Sequence, residues 1–350
     1  MFHPPFCPRP LCINHKDPEP DFCTRFGSYV AQCRPRPVPR FRCRGCKRTF
    51  SRQTFRADYW DRKPHLNAPL FKSLASGVGL RQSARNLKLS LRCTELKARK
   101  IARHARNLNL NLQRELPSWA SLQLDEIETY EGRRNTRPLT VPVLIETTSR
   151  TILWAESASI RPNGAMPKRR LAAIAADEER FGIRKDRSIR AIQRTLARAV
   201  PLVQGRESLA IDTDKKPVYA GLIRRAFQGI RIHHRKTSSR LERDVCNPLF
   251  PINQTEAMMR DLTGRLRRES WLVSKKQRWL DVALHIFIAY RNLVRRRFNT
   301  DEASAAQIAG WVRRRLRVEE VLSWRQIFGR RSIHPLARNQ QSIEAVQAAG

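Results

Sequence analysis

The sequence predicts an α/β protein: one mixed sheet packed by helices, preceded by a small cysteine-rich module and a short helical one. Three observations predict it. Six of the eight cysteines fall between Cys7 and Cys46. Apolar residues then recur at helical spacing from Ala68 to Asn107. From Leu122 onward, alternating and β-branched runs are interleaved with longer helical ones. A chain of 350 residues is expected to hold two or three such units, and 41% apolar residues are enough for a core.

Charge sets the partner. The chain has 69 Lys+Arg against 31 Asp+Glu, a net +38, spread over its whole length. Such a surplus repels itself in a compact monomer and attracts polyanions. Nucleic acid is the expected partner, because neutralising phosphates releases condensed counterions. A protein that only packs nucleic acid has no need of a mixed α/β core of ~200 residues. The start, Met1-Phe2-His3-Pro4-Pro5, lacks a basic segment followed by an apolar run, so no signal peptide is expected. No stretch approaches the ~18 consecutive apolar residues of a membrane span. The expected location is cytoplasmic and nucleoid-associated, where cysteines serve as metal ligands or buried thiols rather than disulfides.

Residues 1–57 read as a zinc ribbon. Cys43-Arg44-Gly45-Cys46 places two thiolates three apart with glycine in the turn, a spacing that presents both sulfurs to one tetrahedral ion. Cys7 and Cys12, with Pro8 and Pro10 between them, are the expected partner pair; Cys23 and Cys33 are the alternative. A redox role for the Cys-x-x-Cys lacks a βαβ context. Cys93 and Cys246 stand alone.

Residues 58–112 read as a helix-turn-helix DNA-binding domain. Helices are expected over 68–76, 80–87 and 91–107, with Gly77 and Gly79 in the first turn and Ser90 as an N-cap. Arg92, Lys97, Arg99, Lys100 and Arg103 make the third helix cationic, as a helix entering a major groove would be. A basic three-helix module touching phosphates alone is the alternative.

The main domain is expected over 118–300. Strands are read at 122–127, 139–147 and 151–159, a charged helical region at 177–199, a strand at 208–214, a helix at 218–227 and a strand at 230–234. Helices at 253–268, 277–296 and 302–317 follow, and 301–350 reads as a helical, partly disordered tail. This order is that of the ribonuclease H-like fold, in which Asp125, Asp214 and Glu256 would converge at one sheet edge. Hard divalent cations prefer carboxylate oxygens, and two ions ~4 Å apart can activate an attacking oxygen and stabilise a leaving one. An acid between Leu124 and Ile127 in a strand is costly unless paired or metal-bound. Asp214 competes with Asp212. Glu256 competes with a capping box at Asn253-Gln254-Thr255-Glu256, and Glu242, Asp244 and Asp261 are alternatives.

Five stretches taken in order resemble the zinc-ribbon class of bacterial insertion-sequence transposases, which carry an Asp-Asp-Glu triad. They are Arg42-Cys43-Arg44-Gly45-Cys46-Lys47-Arg48-Thr49-Phe50, Gly79-Leu80-Arg81-Gln82-Ser83-Ala84-Arg85, Leu124-Asp125-Glu126, Thr213-Asp214 followed by Tyr219, and Asn253 with Glu256. The likeness spans residue 7 to about 295, and its order is more specific than any one piece; the Cys7–Cys12 spacing is wider than usual. It implies that Asp214 rather than Asp212 is the second acid and that Asp125, Asp214 and Glu256 hold two Mg²⁺ (or Mn²⁺), with Zn²⁺ in the ribbon. It further implies metal-dependent cleavage and strand transfer on double-stranded DNA, both element ends and target, by a homo-oligomer. Basic residues 224–243 (Arg224, Arg225, Arg231, Arg235, Lys236, Arg240, Arg243) would flank the site. The competing class is a non-enzymatic DNA-binding regulator, or an inactive transposase relic, which needs only residues 1–112 and leaves the three acids without a joint purpose.

Overall fold

The computed structural model describes residues 2–267 and 270–325; the remainder of the expected tail, 326–350, lies outside the described residues. At the N-terminus a one-turn helix, α1 (Ile13–Lys16), precedes β1 (Cys23–Tyr29), β2 (Val38–Cys43) and β3 (Thr49–Ser51), which pair antiparallel in that order. The register sets Cys23 opposite Cys43 and Phe41 opposite Phe50. Phe6, Phe22, Phe41, Phe50 and Phe55 form a small core around Cys7, Cys12 and Cys43. Modules this small rarely bury enough apolar surface alone, which is why a metal clip is common among them.

Three helices follow: α2 (Asn67–Ala75), α3 (Leu80–Asn86) and α4 (Leu91–Leu112). Ser90 caps α4, its hydroxyl accepting from the Cys93 amide. At 22 residues, α4 outruns its expected end at 107. The reason is burial: Ile101, Ala105, Leu108 and Leu112 lie in the same core as Leu122, Leu124 and Ile211 of the main sheet. The helical segment and the sheet therefore share one packed interior, with no gap at the expected 112/118 boundary.

The main sheet has the order β6-β5-β4-β8-β9, with β7 also pairing β5. Its strands are β4 (Leu122–Tyr130), β5 (Pro138–Glu146), β6 (Ile152–Ala155), β7 (Ala158–Ser159), β8 (Ser208–Asp214) and β9 (Arg231–Thr237). β4, β5 and β6 form an antiparallel meander; β4, β8 and β9 run parallel. Parallel neighbours need crossovers. Helices α5 (Lys168–Phe181) and α6 (Ser188–Ala199) bridge β7 to β8, and α7 (Val218–Ala226) bridges β8 to β9. After β9 come α8 (Phe250–Leu262), α9 (Gln277–Ala289), α10 (Ala305–Ile308) and α11 (Val318–Ser323). An antiparallel triplet joined edge-on to two parallel strands through the first strand is the ribonuclease H-like arrangement. β5 reads as a continuous apolar run because both its faces are covered. Val141, Val143 and Ile145 pack with Ile252, Met259, Leu280 and Leu284, while Leu144 packs on the α4–α6 side.

Several elements differ from expectation. The helical region read at 177–199 is two helices, because Gly182 at φ +77 ends α5 in a conformation side chains disfavour. α8 starts at Phe250, three residues early, since Pro251 in its first turn suits an N-terminus and not a preceding loop. It stops at Leu262 rather than 268. The helix expected at 302–317 is only α10, and Trp311, Leu316, Val318 and Val321 that follow it are buried in the main core. No described helix is long and apolar enough to cross a membrane.

A buried histidine and a half-buried one make this interior acid-sensitive. His104 on α4 bonds the Val321 carbonyl (2.6 Å), and burial pushes it down to about 4. Burial, aided by Arg106 and Arg198, pushes His285 on α9 down to about 3. The unfolded chain, with ordinary histidines near ~6.5, binds these protons first. Stability is therefore complete above that value and declines as pH falls towards 4, by up to ~1.4 kcal/mol per pH unit for each group. The urea midpoint should drop between pH 7 and 5, and His285→Phe should make that drop shallower; an unchanged slope in the variant contradicts the assignment.

Candidate catalytic cleft and cysteine cluster

The parallel register builds the cleft. Leu122, Gln123 and Leu124 lie opposite Ile211, Asp212 and Thr213, so the next position brings Asp125 beside Asp214, where β8 ends. Asp125 accepts from the Glu126 amide (2.7 Å) and Asp214 from the Lys216 amide (2.9 Å). Glu256 reaches the same place from α8. Gln123 sets that helix: its carbonyl accepts from the Ile252 amide (3.0 Å) and its amide donates to the Pro248 carbonyl (2.8 Å). Asp125, Asp214 and Glu256 all line one cleft of about 650 Å³.

The electrostatics are those of crowded carboxylates. Burial, then the Asp214 charge, raises Asp125 above the ordinary range, and burial, then the Asp125 charge, raises Glu256. Glu256 is 6% exposed, and its Oε1 is buried with no hydrogen-bond partner among the described residues. A buried, unsatisfied carboxylate oxygen is expensive unless a cation completes it. The donor set therefore suits hard divalent ions.

The structure separates the alternatives. Asp212 is taken up by Arg235 (2.7 and 3.1 Å) and Gln123 (3.2 Å) and does not line the cleft. The capping box at Asn253–Glu256 is absent, because α8 begins at Phe250 and Glu256 lies in its second turn. Asp244 accepts from the Cys246 and Asn247 amides, and Asp261 is largely exposed.

Glu126 and Tyr219 enter the sequence reading only as flanking members of the resembling stretches, with no role of their own, and Arg161 does not enter it. Glu126 accepts from Thr140 (2.8 Å), the Tyr219 hydroxyl (2.9 Å) and the Lys216 ammonium. Burial, then the Glu126 charge, pushes the Tyr219 phenol well up, so it stays a donor. Cations on the cleft wall are Arg161, Lys216, Arg243 and Arg260. Of the basic residues expected at 224–243, only Arg243 lines it. The others are exposed: Arg224 and Arg225 on α7, Arg231, Arg235 and Lys236 on β9, and Arg240 in the turn after it.

In the N-terminal module, Cys7, Cys12, Cys43 and Cys46 place their sulfurs within 4.8 Å of one another. The Cys7–Cys46 and Cys12–Cys43 separations are 3.6 and 3.7 Å. Four thiolates ~2.3 Å from a tetrahedral ion stand ~3.8 Å apart. Gly45 is required by closeness: an added Cβ would sit 2.9 Å from the Asn14 amide and 3.6 Å from the Cys12 sulfur. Cys33 instead points to the Asp61 carbonyl (3.4 Å), and Cys23 is outside the cluster.

The cationic residues of α4 divide. Arg92, Arg99 and Arg103 are exposed. Lys97 is a correction: it is 5% exposed, bonded to the Asp61 carboxylate (2.6 Å), the Lys63 carbonyl (2.8 Å) and Asn67 (3.0 Å), and cannot reach phosphate. Lys100 donates to the Tyr59 carbonyl (2.7 Å). Together they pin the turn holding Trp60, which is 81% exposed at φ +61. An aromatic residue there is strained. Trp60→Gly should stabilise the fold by ~0.5–1 kcal/mol in urea unfolding; a loss of stability would show that the ring packs usefully.

No protein-family model matches the chain, and no curated protein matches it. Among solved structures it is similar to the Mos1 mariner paired end complex with Mn, at 14% identity over 65% of this chain and 73% of that one, with a TM-score of 0.26. The catalytic domain of Mos1 mariner transposase is similar at 12% identity over 65% and 93%, TM-score 0.25. A pre-cleavage Mos1 transpososome follows at 11% over 73% and 76%, TM-score 0.20.

Proposed function

We propose that the chain is a DNA transposase of the zinc-ribbon insertion-sequence kind, cutting DNA at an element's ends and joining the freed end to target DNA. The observation that carries this reading is the convergence of Asp125, Asp214 and Glu256, from three separate elements, on one cleft in which the buried Glu256 Oε1 has no hydrogen-bond partner among the described residues. Those three residues would hold two Mg²⁺ or Mn²⁺ ions. When bound, the ions supply charge neutralisation at the reacting phosphate and activate the attacking oxygen.

The chain's own residues position and neutralise. Arg161, Lys216, Arg243 and Arg260 on the cleft wall would bind backbone phosphates beside the reacting one. Glu126, itself fixed by the Tyr219 hydroxyl that donates to it, holds the Lys216 ammonium in place, so that cation is arranged before DNA arrives. In the first step water forms a bond to phosphorus, the P–O3′ bond breaks, and the departing oxygen takes a proton to become a 3′-hydroxyl. In the second that hydroxyl attacks a target phosphodiester in line, displacing another 3′-oxygen. Zn²⁺ at Cys7, Cys12, Cys43 and Cys46 would hold the N-terminal module, and Arg92, Arg99 and Arg103 would contact duplex DNA. A homo-oligomer would pair two ends.

The test is end cleavage on a duplex carrying the element's terminus. Asp125→Ala should leave binding intact and remove Mg²⁺-dependent cutting; a variant that cuts as well as the parent ends the proposal.

A further inference from the structure

A second cleft, of about 520 Å³, lies at the β6 edge of the sheet, away from the carboxylates, between α4, α6 and α9. Trp154 on β6 forms its floor at 2% exposure. The guanidinium groups of Arg106 on α4 and Arg198 on α6 stack against that ring, 5.5 and 4.4 Å from its centroid. Neither forms an ion pair among the described residues. The acids present are already engaged: Glu156 takes Arg194 and the Trp154 indole N–H (3.2 Å), and Asp281 takes the Ser157 amide and hydroxyl (2.8 and 2.7 Å). Uncompensated cations held on a rigid ring lose little freedom when an anion arrives.

The cleft continues a longer feature. Arg92, Arg99, Arg103 and Arg106 fall on one stripe of α4, at spacings of seven, four and three residues. The fourteen residue steps from the first to the last span ~21 Å of helix, about six base pairs of duplex. On α6, Arg194, which lines the cleft, and Arg198, which lies over Trp154, form a second row one turn apart. We propose that these two arginine rows grip the phosphate backbone of duplex DNA, which lies along α4 and into the Trp154 cleft rather than receiving the end of α4 in its groove. The buried floor decides between backbone and base: a ring at 2% exposure offers no face for a base to stack on, so only guanidinium edges are presented. Such contacts orient DNA without reading its sequence.

This inference rests on DNA being the partner but not on catalysis, and the experiment separates the two. Full-length protein is titrated into labelled duplexes of two unrelated sequences between about 50 and 200 mM salt, with affinity read by anisotropy. The Arg106→Gln/Arg198→Gln double variant should bind ~10-fold or more weakly, with a salt slope shallower by ~1.8, equally on both sequences. Arg194→Gln, a change at an exposed position on α6 and outside the residues already assigned to DNA, should lower the slope by ~0.9 and decides the matter if the double variant misfolds. Glu156→Gln, by freeing Arg194, should tighten binding. Unchanged slopes, or a loss confined to one sequence, overturn the proposal. So does loss of binding to polyglutamate with duplex binding untouched, which would assign the cleft to an acidic protein. Asp214→Ala should bind as the parent does; if it also cuts as the parent does, the catalytic reading falls while the groove stands on its salt slope.

Discussion

Glu256→Gln should lower Mg²⁺-dependent DNA cleavage by about three orders of magnitude or more, and in the presence of chelator it should make the protein more stable, not less. The two effects have one cause. Glu256 is 6% exposed on α8, its Oε1 has no partner, and the Asp125 charge opposes its own. Without a cation the group is a burden on the fold, so a neutral isostere should gain ~1–3 kcal/mol. A glutamate serving only as a helix cap or packing group would behave in the opposite way, losing stability and sparing chemistry. Urea unfolding in chelator and cleavage in Mg²⁺, on the same two samples, separate the cases. A destabilised variant that still cuts would remove Glu256 from the proposed triad.

Cys43→Ser should release the metal of the N-terminal module and unfold it. Cys43 is fully buried, and its sulfur lies 3.7 Å from that of Cys12. The module's own core is a handful of phenylalanines, and structural zinc contributes ~10–16 kcal/mol of apparent binding free energy in comparable small domains. A zinc-release assay should find one ion per parent chain and none in the variant, with backbone amide protection lost over residues 23–51. Cys23→Ser and Cys33→Ser should keep the ion, because neither sulfur belongs to the cluster. Zinc loss in either of these, with retention in Cys43→Ser, would redraw the site.

How much of this was legible in the sequence depends on the kind of signal. Alternation at Leu122–Ile127 revealed β4, and with it the place of Asp125, because a strand's period is local. The Cys-x-x-Cys knuckle was legible for the same reason. The choice between Asp212 and Asp214 is not fixed by local pattern: both sit on one face of β8, and it is Arg235 on β9 and Gln123 on β4 that engage Asp212. Lys97 looked like a DNA contact because periodicity cannot reveal that Asp61, thirty-six residues earlier, folds back to meet it. The start of α8 was missed because Pro251, legible as a breaker, stands in the first turn where proline is welcome. Residues 305–321 looked like a tail; their burial depends on α4, which is nearly two hundred residues away in sequence. Glu126 stands in the Leu124-Asp125-Glu126 stretch with no role legible there, because its three donors come from β5, α7 and the turn before α7.

The central claim is that three carboxylates form one metal-dependent nuclease site. It is tested most directly by cleavage of supercoiled plasmid carrying the element's own ends, with and without Mg²⁺, by the parent and by Asp214→Ala. The parent should nick only when Mg²⁺ is present, Asp214→Ala should not nick at all, and both should bind DNA equally. Nicking that persists in Asp214→Ala, or tight binding with no nicking by the parent under any divalent ion, would contradict it.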